Sequence, residues 1–232
     1  MSKQNLVLVP GLVCDKAVWR HSVDYLAGLA DITVVPVPGP DTMQEMAAEA
    51  LLAAPGEFAL AGFSMGGYVA LEILRQAPEQ ITRLALLDTS AKPDTPEKTA
   101  GREATIARCE TGGFEDVIQD MFQVLLHPDY QNGPLRPFVT EMASRVGSES
   151  FVARHKAMMT RQDGRNLLAK TNIPVRAICG RQDAMSPVED HEEIAEISAN
   201  GRCSIIEECG HMTILERPQA ATALLRDWLL YG

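Results

Sequence analysis

The chain has 232 residues, with 21 basic and 31 acidic side chains that give a formal net charge of −10 at neutral pH. This length suits one α/β domain with a sizeable core, and the acidic balance, without a cluster of Lys or Arg, argues against nucleic acid or an anionic membrane as a partner. The five cysteines are odd in number and widely spaced, with no C-x-x-C pair, which argues against a disulfide framework and a zinc site.

The first predicted element is a strand within the N-terminal stretch MSKQNLVLVPG, at Leu6–Val9. The apolar run before Pro10 is too short for the core of a signal peptide, and no later stretch is long and apolar enough to span a bilayer. Together with the cysteine pattern, this predicts a cytoplasmic protein that does not associate with membranes.

Further short apolar runs alternate with amphipathic, helix-like stretches along the chain. This alternation is typical of a parallel sheet with helices on both faces. Ligand crevices in open sheets of this kind lie beyond the carboxyl ends of the strands, so functional residues should directly follow the apolar runs. The six predicted strands are Leu6–Val9, Ile32–Val37, Phe58–Phe63, Leu84–Leu87, Val175–Cys179 and Cys203–Ile206.

The third predicted strand runs into the stretch Gly62-Phe63-Ser64-Met65-Gly66, and a helical pattern follows directly. G-x-S-x-G between a strand and a helix is the context of a nucleophile elbow, a sharp turn that exposes a serine hydroxyl. The alternative is a purely structural turn. The context favours Ser64 as a nucleophile, with the backbone N–H of Met65 at the helix N-terminus free to stabilise an oxyanion.

Between the fourth and fifth predicted strands the alternation stops and only helical patterns remain. They predict a helical insertion of about four elements that lies over the strand ends. Methionines in this insertion either fill the core or line an adaptable pocket. The four patterns are EKTAGREATIARC, FEDVIQDMFQVLL, PLRPFVTEMASRV and SFVARHKAMMTRQ.

Candidates for the base and the acid follow the last two predicted strands. A serine needs a neighbouring base to become a nucleophile, and His211 in CGHMTILERP lies just after the sixth strand. Asp183 in AICGRQDAMSP lies just after the fifth strand, so the chain order is Ser64, Asp183, His211. Asp88, at the end of the fourth strand, is the alternative carboxylate.

These residues resemble the α/β-hydrolase family, on the stretches GFSMGG, GRQDAMSP and GHMTILERP, and the likeness covers essentially the whole chain. The resemblance implies that Ser64 is the nucleophile, His211 the general base and then acid, and Asp183 the residue that orients the imidazole. It also implies an oxyanion-hole turn after the first strand, where the backbone N–H of Leu12 is the second donor beside Met65. The histidine common at this turn is replaced by Pro10.

The resemblance implies an α/β-hydrolase fold with a helical cap, in a single domain spanning 1–232, with a core at 1–91 and 171–232 and a cap at about 92–170. The chain begins almost at its first strand, so we expect about six strands, mostly or wholly parallel, without the two leading antiparallel strands common in the family. No cofactor is implied. His21, His127, His155 and His191 lack a second ligand at metal spacing, so we expect surface or hydrogen-bonded histidines and no metal site.

The function predicted from the resemblance is hydrolysis of a small-molecule carboxylic ester or lactone through an acyl-enzyme. Three alternatives remain open at the level of sequence: a C–C bond hydrolase, an acyltransferase, and a hydrolase-like receptor or regulator that binds a small ligand. Substrate identity, acyl chain length and oligomeric state are not encoded in any motif of the chain.

Overall fold

The computed structural model describes residues 3–36 and 39–232. Six strands form one sheet in the order β2-β1-β3-β4-β5-β6, and every neighbouring pair is parallel. The predicted fold class, a wholly parallel six-stranded sheet with flanking helices, is therefore confirmed. The strands are β1 Gln4–Val9, β2 Ala30–Val34, β3 Phe58–Phe63, β4 Ile81–Leu87, β5 Pro174–Gly180 and β6 Asn200–Ile206.

Strands β1, β4 and β5 extend one to three residues beyond their predicted ranges, and the two edge strands also differ from theirs. At one edge, β2 ends at Val34 rather than continuing to Val37, because Pro36 has no N–H to donate to a ladder; Val37 itself lies outside the described residues. At the other edge, β6 begins at Asn200, before the predicted Cys203, because an edge strand tolerates the polar, exposed residues at its start. The central strand β3 matches its predicted range and is buried throughout.

Helices cover both faces of the sheet. Helix α1 packs against α10, whereas α2 packs against α3. Right-handed crossovers that run in opposite directions across a sheet place their helices on opposite faces, which accounts for two separate layers. The helices are α1 Arg20–Leu26, α2 Met43–Ala53, α3 Met65–Gln76, α4 Pro96–Glu110, α5 Phe114–Leu125, α6 Leu135–Met159, α7 Arg165–Leu168, α8 Val188–Ile197, α9 Thr213–Glu216 and α10 Pro218–Tyr231.

The chain from 96 to 159, here called the helical segment, contains α4, α5 and α6 and lies within the connection from β4 to β5, which also contains α7. Its last two predicted helices form one span, α6, which is broken at Gly147. Gly147 has φ 77° and ψ 161°, a backbone conformation that other residues rarely adopt, so the direction of the helix changes there. Division of the chain into a core and a cap at about residues 92 and 170 stays a prediction.

None of the helices in residues 3–36 and 39–232 is long and apolar enough to cross a membrane.

Candidate active site

A tight turn at the end of β3 presents Ser64. The residue has φ 54° and ψ −120°, a strained conformation for a side chain with a Cβ, and α3 begins immediately afterwards at Met65. Strand and helix can converge this closely only because the flanking glycines have no side chains: a Cβ on Gly62 would overlap the carbonyl of Gly66, and a Cβ on Gly66 would overlap that of Val9. The strained turn exposes the hydroxyl of Ser64 to a cavity.

Ser64, His211 and Asp183 form a continuous hydrogen-bond chain. Nε2 of His211 lies 2.8 Å from Oγ of Ser64. Nδ1 of His211 lies 2.9 Å from Oδ1 and 2.8 Å from Oδ2 of Asp183. The structure thus brings together the three side chains that the sequence placed after β3, β5 and β6.

The surroundings of Asp183 determine which nitrogen of His211 carries a proton. Burial alone raises the pKa of Asp183, but His211 and hydrogen bonds from the backbone N–H groups of Met185 and Ser186 hold that pKa below its ordinary value. An ionised carboxylate only accepts hydrogen bonds, so Nδ1 of His211 is the donor. Nε2 is then free to accept the proton of the Ser64 hydroxyl.

The alternative carboxylate, Asp88, has different partners. It accepts hydrogen bonds from the backbone N–H and hydroxyl of Thr213 and from the backbone N–H of Gly180. Burial and the neighbouring Asp183 raise the pKa of Asp88 well above its ordinary value. Asp88 therefore holds the residues around His211, whereas Asp183 contacts the imidazole itself.

Glu216 is a buried carboxylate that the sequence analysis missed. Its Oε2 accepts a hydrogen bond of 2.8 Å from the backbone N–H of Gly210, and its Oε1 accepts one of 3.1 Å from that of Met212. These two N–H groups belong to the residues before and after His211, so Glu216 holds the backbone of the loop that contains His211 in place. An acidic residue one turn after the start of a short helix is a capping signal that could have pointed to it.

The two predicted oxyanion donors lie beside Ser64. Leu12 follows β1 and lines the same cavity, and Met65 opens α3. Neither backbone N–H donates a hydrogen bond to another residue of the described chain. Both groups are thus available to a substrate oxygen, as an oxyanion hole requires.

Arg154 of α6 holds the turn that contains Leu12. Its Nη1 donates to the carbonyl oxygens of Gly11 at 3.3 Å, Leu12 at 2.6 Å and Cys14 at 3.1 Å. A buried guanidinium from the helical segment thus donates hydrogen bonds to the turn in which Pro10 stands at the position of the expected histidine. Sequence reasoning missed Arg154 because 142 positions separate it from Leu12.

The cavity above Ser64 has a volume of about 400 Å³, within the range of small-molecule sites. Four methionines line it, Met121 and Met158 from the helical segment and Met185 and Met212 from the loops after β5 and β6. Cys14 also lines the cavity, but burial raises the pKa of its thiol to about 12, so this group stays protonated and is not a competing nucleophile. Trp19 is fully buried and packs against Phe63, and Asp15 caps a short 3₁₀ helix.

The remaining histidines differ from one another. His191 is satisfied, since its Nε2 accepts from the backbone N–H of Thr89 and its Nδ1 contacts the carbonyl of Pro187. His155 departs from the expectation, because it is buried while neither ring nitrogen has a hydrogen-bond partner among the described residues. In the described ranges, no three His, Cys, Asp or Glu side chains are grouped so that they could hold a metal ion.

Comparisons with known proteins agree with the fold. The family model described as "Alpha/beta hydrolase family" matches residues 6–224. A pimeloyl-acyl carrier protein methyl ester esterase from Aromatoleum aromaticum is 27% identical over 247 aligned positions, which cover 98% of this chain and 98% of the relative. The esterase of the same name from Nitrosomonas europaea is 25% identical over 246 positions, covering 93% and 91%.

Solved structures are similar over nearly the whole chain. A thermophilic esterase from Thermogutta terrifontis superposes with a TM-score of 0.89 at 27% identity, covering 98% of this chain and 90% of that one. An enol-lactonase from Burkholderia xenovorans superposes with a TM-score of 0.86 at 20% identity, covering 99% and 92%. The second likeness is one of fold alone.

Proposed function

The chain belongs to the alpha/beta hydrolase family, and we propose that it is a carboxylic ester hydrolase whose nucleophile is Ser64. The observation that carries the proposal is the hydrogen-bond chain from the Ser64 hydroxyl through His211 to Asp183. A hydroxyl at 2.8 Å from an imidazole nitrogen that can accept a hydrogen bond can lose its proton to that nitrogen as it attacks a carbonyl carbon.

In the first half of the proposed reaction, Oγ of Ser64 attacks the ester carbonyl and Nε2 of His211 takes its proton. The carbonyl oxygen becomes an oxyanion, which accepts hydrogen bonds from the backbone N–H groups of Leu12 and Met65. Asp183 stabilises the imidazolium through its Nδ1–H. The imidazolium then protonates the leaving alkoxy oxygen, and an acyl-enzyme remains on Ser64.

In the second half, a water molecule replaces the alcohol. His211 removes a proton from that water as its oxygen attacks the acyl carbonyl, and the same two backbone N–H groups hold the oxyanion. Collapse of the intermediate returns the proton to Oγ of Ser64 and releases the carboxylic acid. A lactone is a cyclic ester and passes through the same steps, so it belongs to the proposed substrate class.

The class of bond and the size of the substrate come from two different observations. The relatives from Aromatoleum and Nitrosomonas are named as methyl ester esterases, which supports an ester as the bond cleaved. The cavity of about 400 Å³ suits a small molecule, and the helical segment contributes part of its wall. We therefore assign the helical segment to a cap over Ser64.

Hydrolysis of p-nitrophenyl esters of increasing acyl length tests the proposal. We expect turnover of short or medium esters by the wild type and a loss of at least about 10³-fold in kcat for Ser64→Ala. Ser144→Ala is the matched control, because Ser144 is an exposed serine of α6 that does not line the cavity. Equal activities of wild type and Ser64→Ala would refute the proposed nucleophile.

A further inference from the structure

The wall of the cavity has a charge opposite to that of the protein. The chain as a whole carries ten more acidic than basic residues. Among the described residues that line the cavity, however, the charged ones are Lys98 and Arg102, and none is Asp or Glu. A cavity lined by cations attracts anionic groups, and desolvation strengthens that attraction.

The charge of Arg102 is only partly neutralised by its ion pair. Asp94 accepts from Nε of Arg102 at 2.6 Å, but its other oxygen also lies 2.6 Å from Nη1 of Arg161. Two guanidinium groups thus share one carboxylate, which leaves this cluster with a net positive charge. The side chains of Asp94 and Arg161 are nearly inaccessible to solvent, whereas Arg102 lines the cavity. Arg102 therefore presents the net positive charge of the cluster to a ligand in the cavity.

One nitrogen of Arg102 has a weak partner that a ligand could replace. Its Nη1 lies 3.3 Å from the thioether sulfur of Met158, which is a poor hydrogen-bond acceptor. Both Arg102 and Met158 line the cavity. A carboxylate in the cavity would offer a much stronger acceptor for this nitrogen.

Lys98 adds a second cation to the same part of the wall. It lies four positions before Arg102 on α4, so the two side chains lie on the same face of that helix. Lys98 is exposed and its ammonium group forms no ion pair with any residue of the described chain. Its ammonium group is therefore available to an anionic ligand in the cavity.

The rest of the wall is mostly apolar. Side chains of α5, including Val117, Met121 and Leu125, line the cavity that holds Ser64. An aliphatic chain would be buried favourably against them. Next to them, burial and the charge of Arg102 lower the pKa of His155 to about 3, so the imidazole there is neutral and adds no charge.

We propose that Lys98 and Arg102 bind a carboxylate at the far end of an aliphatic substrate whose ester group lies at Ser64. The preferred substrate is then the half-ester of a dicarboxylic acid. This inference rests on the proposed ester hydrolysis and specifies its substrate class. Nε and Nη2 of Arg102 already donate to Asp94, so Nη1 is the nitrogen that would donate to the substrate carboxylate, with the ammonium group of Lys98 as the second donor.

The test compares monomethyl adipate with methyl hexanoate, which differ only in a carboxylate in place of a methyl group. We expect the wild type to show a kcat/KM for the half-ester that exceeds that for the neutral ester by about tenfold or more at low salt. This ratio should fall as the ionic strength rises, because Lys98 is exposed and its attraction is screened.

Variants show whether the named side chains cause the preference. Lys98→Gln and Arg102→Gln should each lower the ratio several-fold. Arg108→Gln is the matched control: Arg108 belongs to the same helix, is exposed, pairs with Asp120 and does not line the cavity. If Arg102→Gln fails to fold because Asp94 loses a partner, the kcat/KM ratio of Lys98→Gln still tests the carboxylate site. The ammonium group of Lys98 forms no ion pair in the described chain, so this substitution removes no ion pair from the fold.

A ratio near or below one in the wild type, or an unchanged ratio in both variants, would overturn the inference. Failure of the ester hydrolase proposal gives a different result, namely no turnover of methyl hexanoate or of p-nitrophenyl esters. In that case calorimetric titration of Ser64→Ala with the same two esters compares their binding affinities in the absence of catalysis. Tighter binding of monomethyl adipate supports the carboxylate site, and equal binding overturns it.

Discussion

The strand-end loops and the helical segment form two sides of one cavity, and they differ in how completely their polar groups are satisfied. On the loop side, Asp183 accepts from His211 and from two backbone N–H groups, and Glu216 holds the backbone on both sides of His211. On the helical side, the ring nitrogens of His155 have no hydrogen-bond partner among the described residues, and one nitrogen of Arg102 contacts only a thioether.

The strand-end loops meet the requirements of catalysis, whereas the helical segment meets those of substrate binding. A reaction that moves a proton over fixed distances needs groups that are already oriented, and the loop side supplies them through buried hydrogen bonds. A binding wall needs groups whose interactions are completed by the ligand, and the helical side supplies such groups along with adaptable methionines. Substitutions on the two sides should therefore change different kinetic parameters.

The largest effect is expected from Asp183→Asn. Loss of the carboxylate would leave His211 in the wrong tautomer for accepting the serine proton, and we expect kcat to fall by about 10⁴-fold. Measurement of kcat and KM with a p-nitrophenyl ester checks this, and KM should change little because the ester does not contact Asp183.

Asp88→Asn provides the contrast within the loop side. The amide of this variant has an acceptor oxygen at only one of the two positions, so it would keep either the two hydrogen bonds from Thr213 or the one from Gly180, and we expect a loss of roughly 1–3 kcal/mol in the free energy of unfolding. Its kcat should fall far less than that of Asp183→Asn. The reverse order of the two kcat values would make Asp88 the residue that orients His211.

A smaller effect is expected at Arg154, which connects the two sides. Arg154→Met removes all three hydrogen bonds to the carbonyls of the Leu12 turn, so the Leu12 N–H loses its fixed position. Removal of a single oxyanion donor costs about 10²- to 10³-fold in kcat, and displacement of one should cost less, about 10- to 100-fold. The loss should appear in kcat rather than in KM.

Arg154→Lys separates orientation from simple loss of stability. All three carbonyls accept from the same nitrogen, Nη1, and an ammonium group has three protons to donate. The lysine variant should therefore recover part of the lost kcat. If both variants lose stability and KM rises while kcat does not change, Arg154 serves the fold and not the oxyanion hole.

The same contrast explains what the sequence could predict. The turn at Ser64, the order of Asp183 and His211 along the chain, and the parallel sheet each follow from local patterns of glycines and apolar runs, and the structure contains all of them. Arg154 could not be predicted, because its role depends on a contact with carbonyls 140 to 143 positions away that no local spacing encodes.

The positive charges that line the cavity could not be predicted from the sequence either. Arg102 lies in a helix whose pattern, EKTAGREATIARC, is typical of an exposed surface with many charges. Only the position of α4 over the strand ends reveals that Lys98 and Arg102 line a cavity and that Asp94 is shared with Arg161. The catalytic side follows from motifs, whereas the binding side depends on how the helical segment packs.

The smallest effect on activity is expected from shortening a methionine of the wall. Met121 lines the cavity and is partly exposed, so Met121→Ala should enlarge the space available to an acyl chain. We expect the optimum in a series of p-nitrophenyl esters to move to a longer chain, with changes of about tenfold in kcat/KM for any one ester, which is the lower end of the roughly 10- to 200-fold that one methylene in an apolar pocket is worth, because Met121 is only partly buried.

Met142→Ala is the matched control for Met121→Ala, because Met142 belongs to the same helical segment but is fully buried and does not line the cavity. Its truncation leaves a void in the core, which should lower the free energy of unfolding by roughly 2–5 kcal/mol while the chain-length optimum stays in place. Together the two variants separate a methionine that contacts substrate from one that fills the core.

An optimum that moves in neither variant would mean that the acyl chain does not contact the α5 side chains that line the cavity. The acyl chain would then be expected to lie against Met185 and Met212 on the strand-end loops.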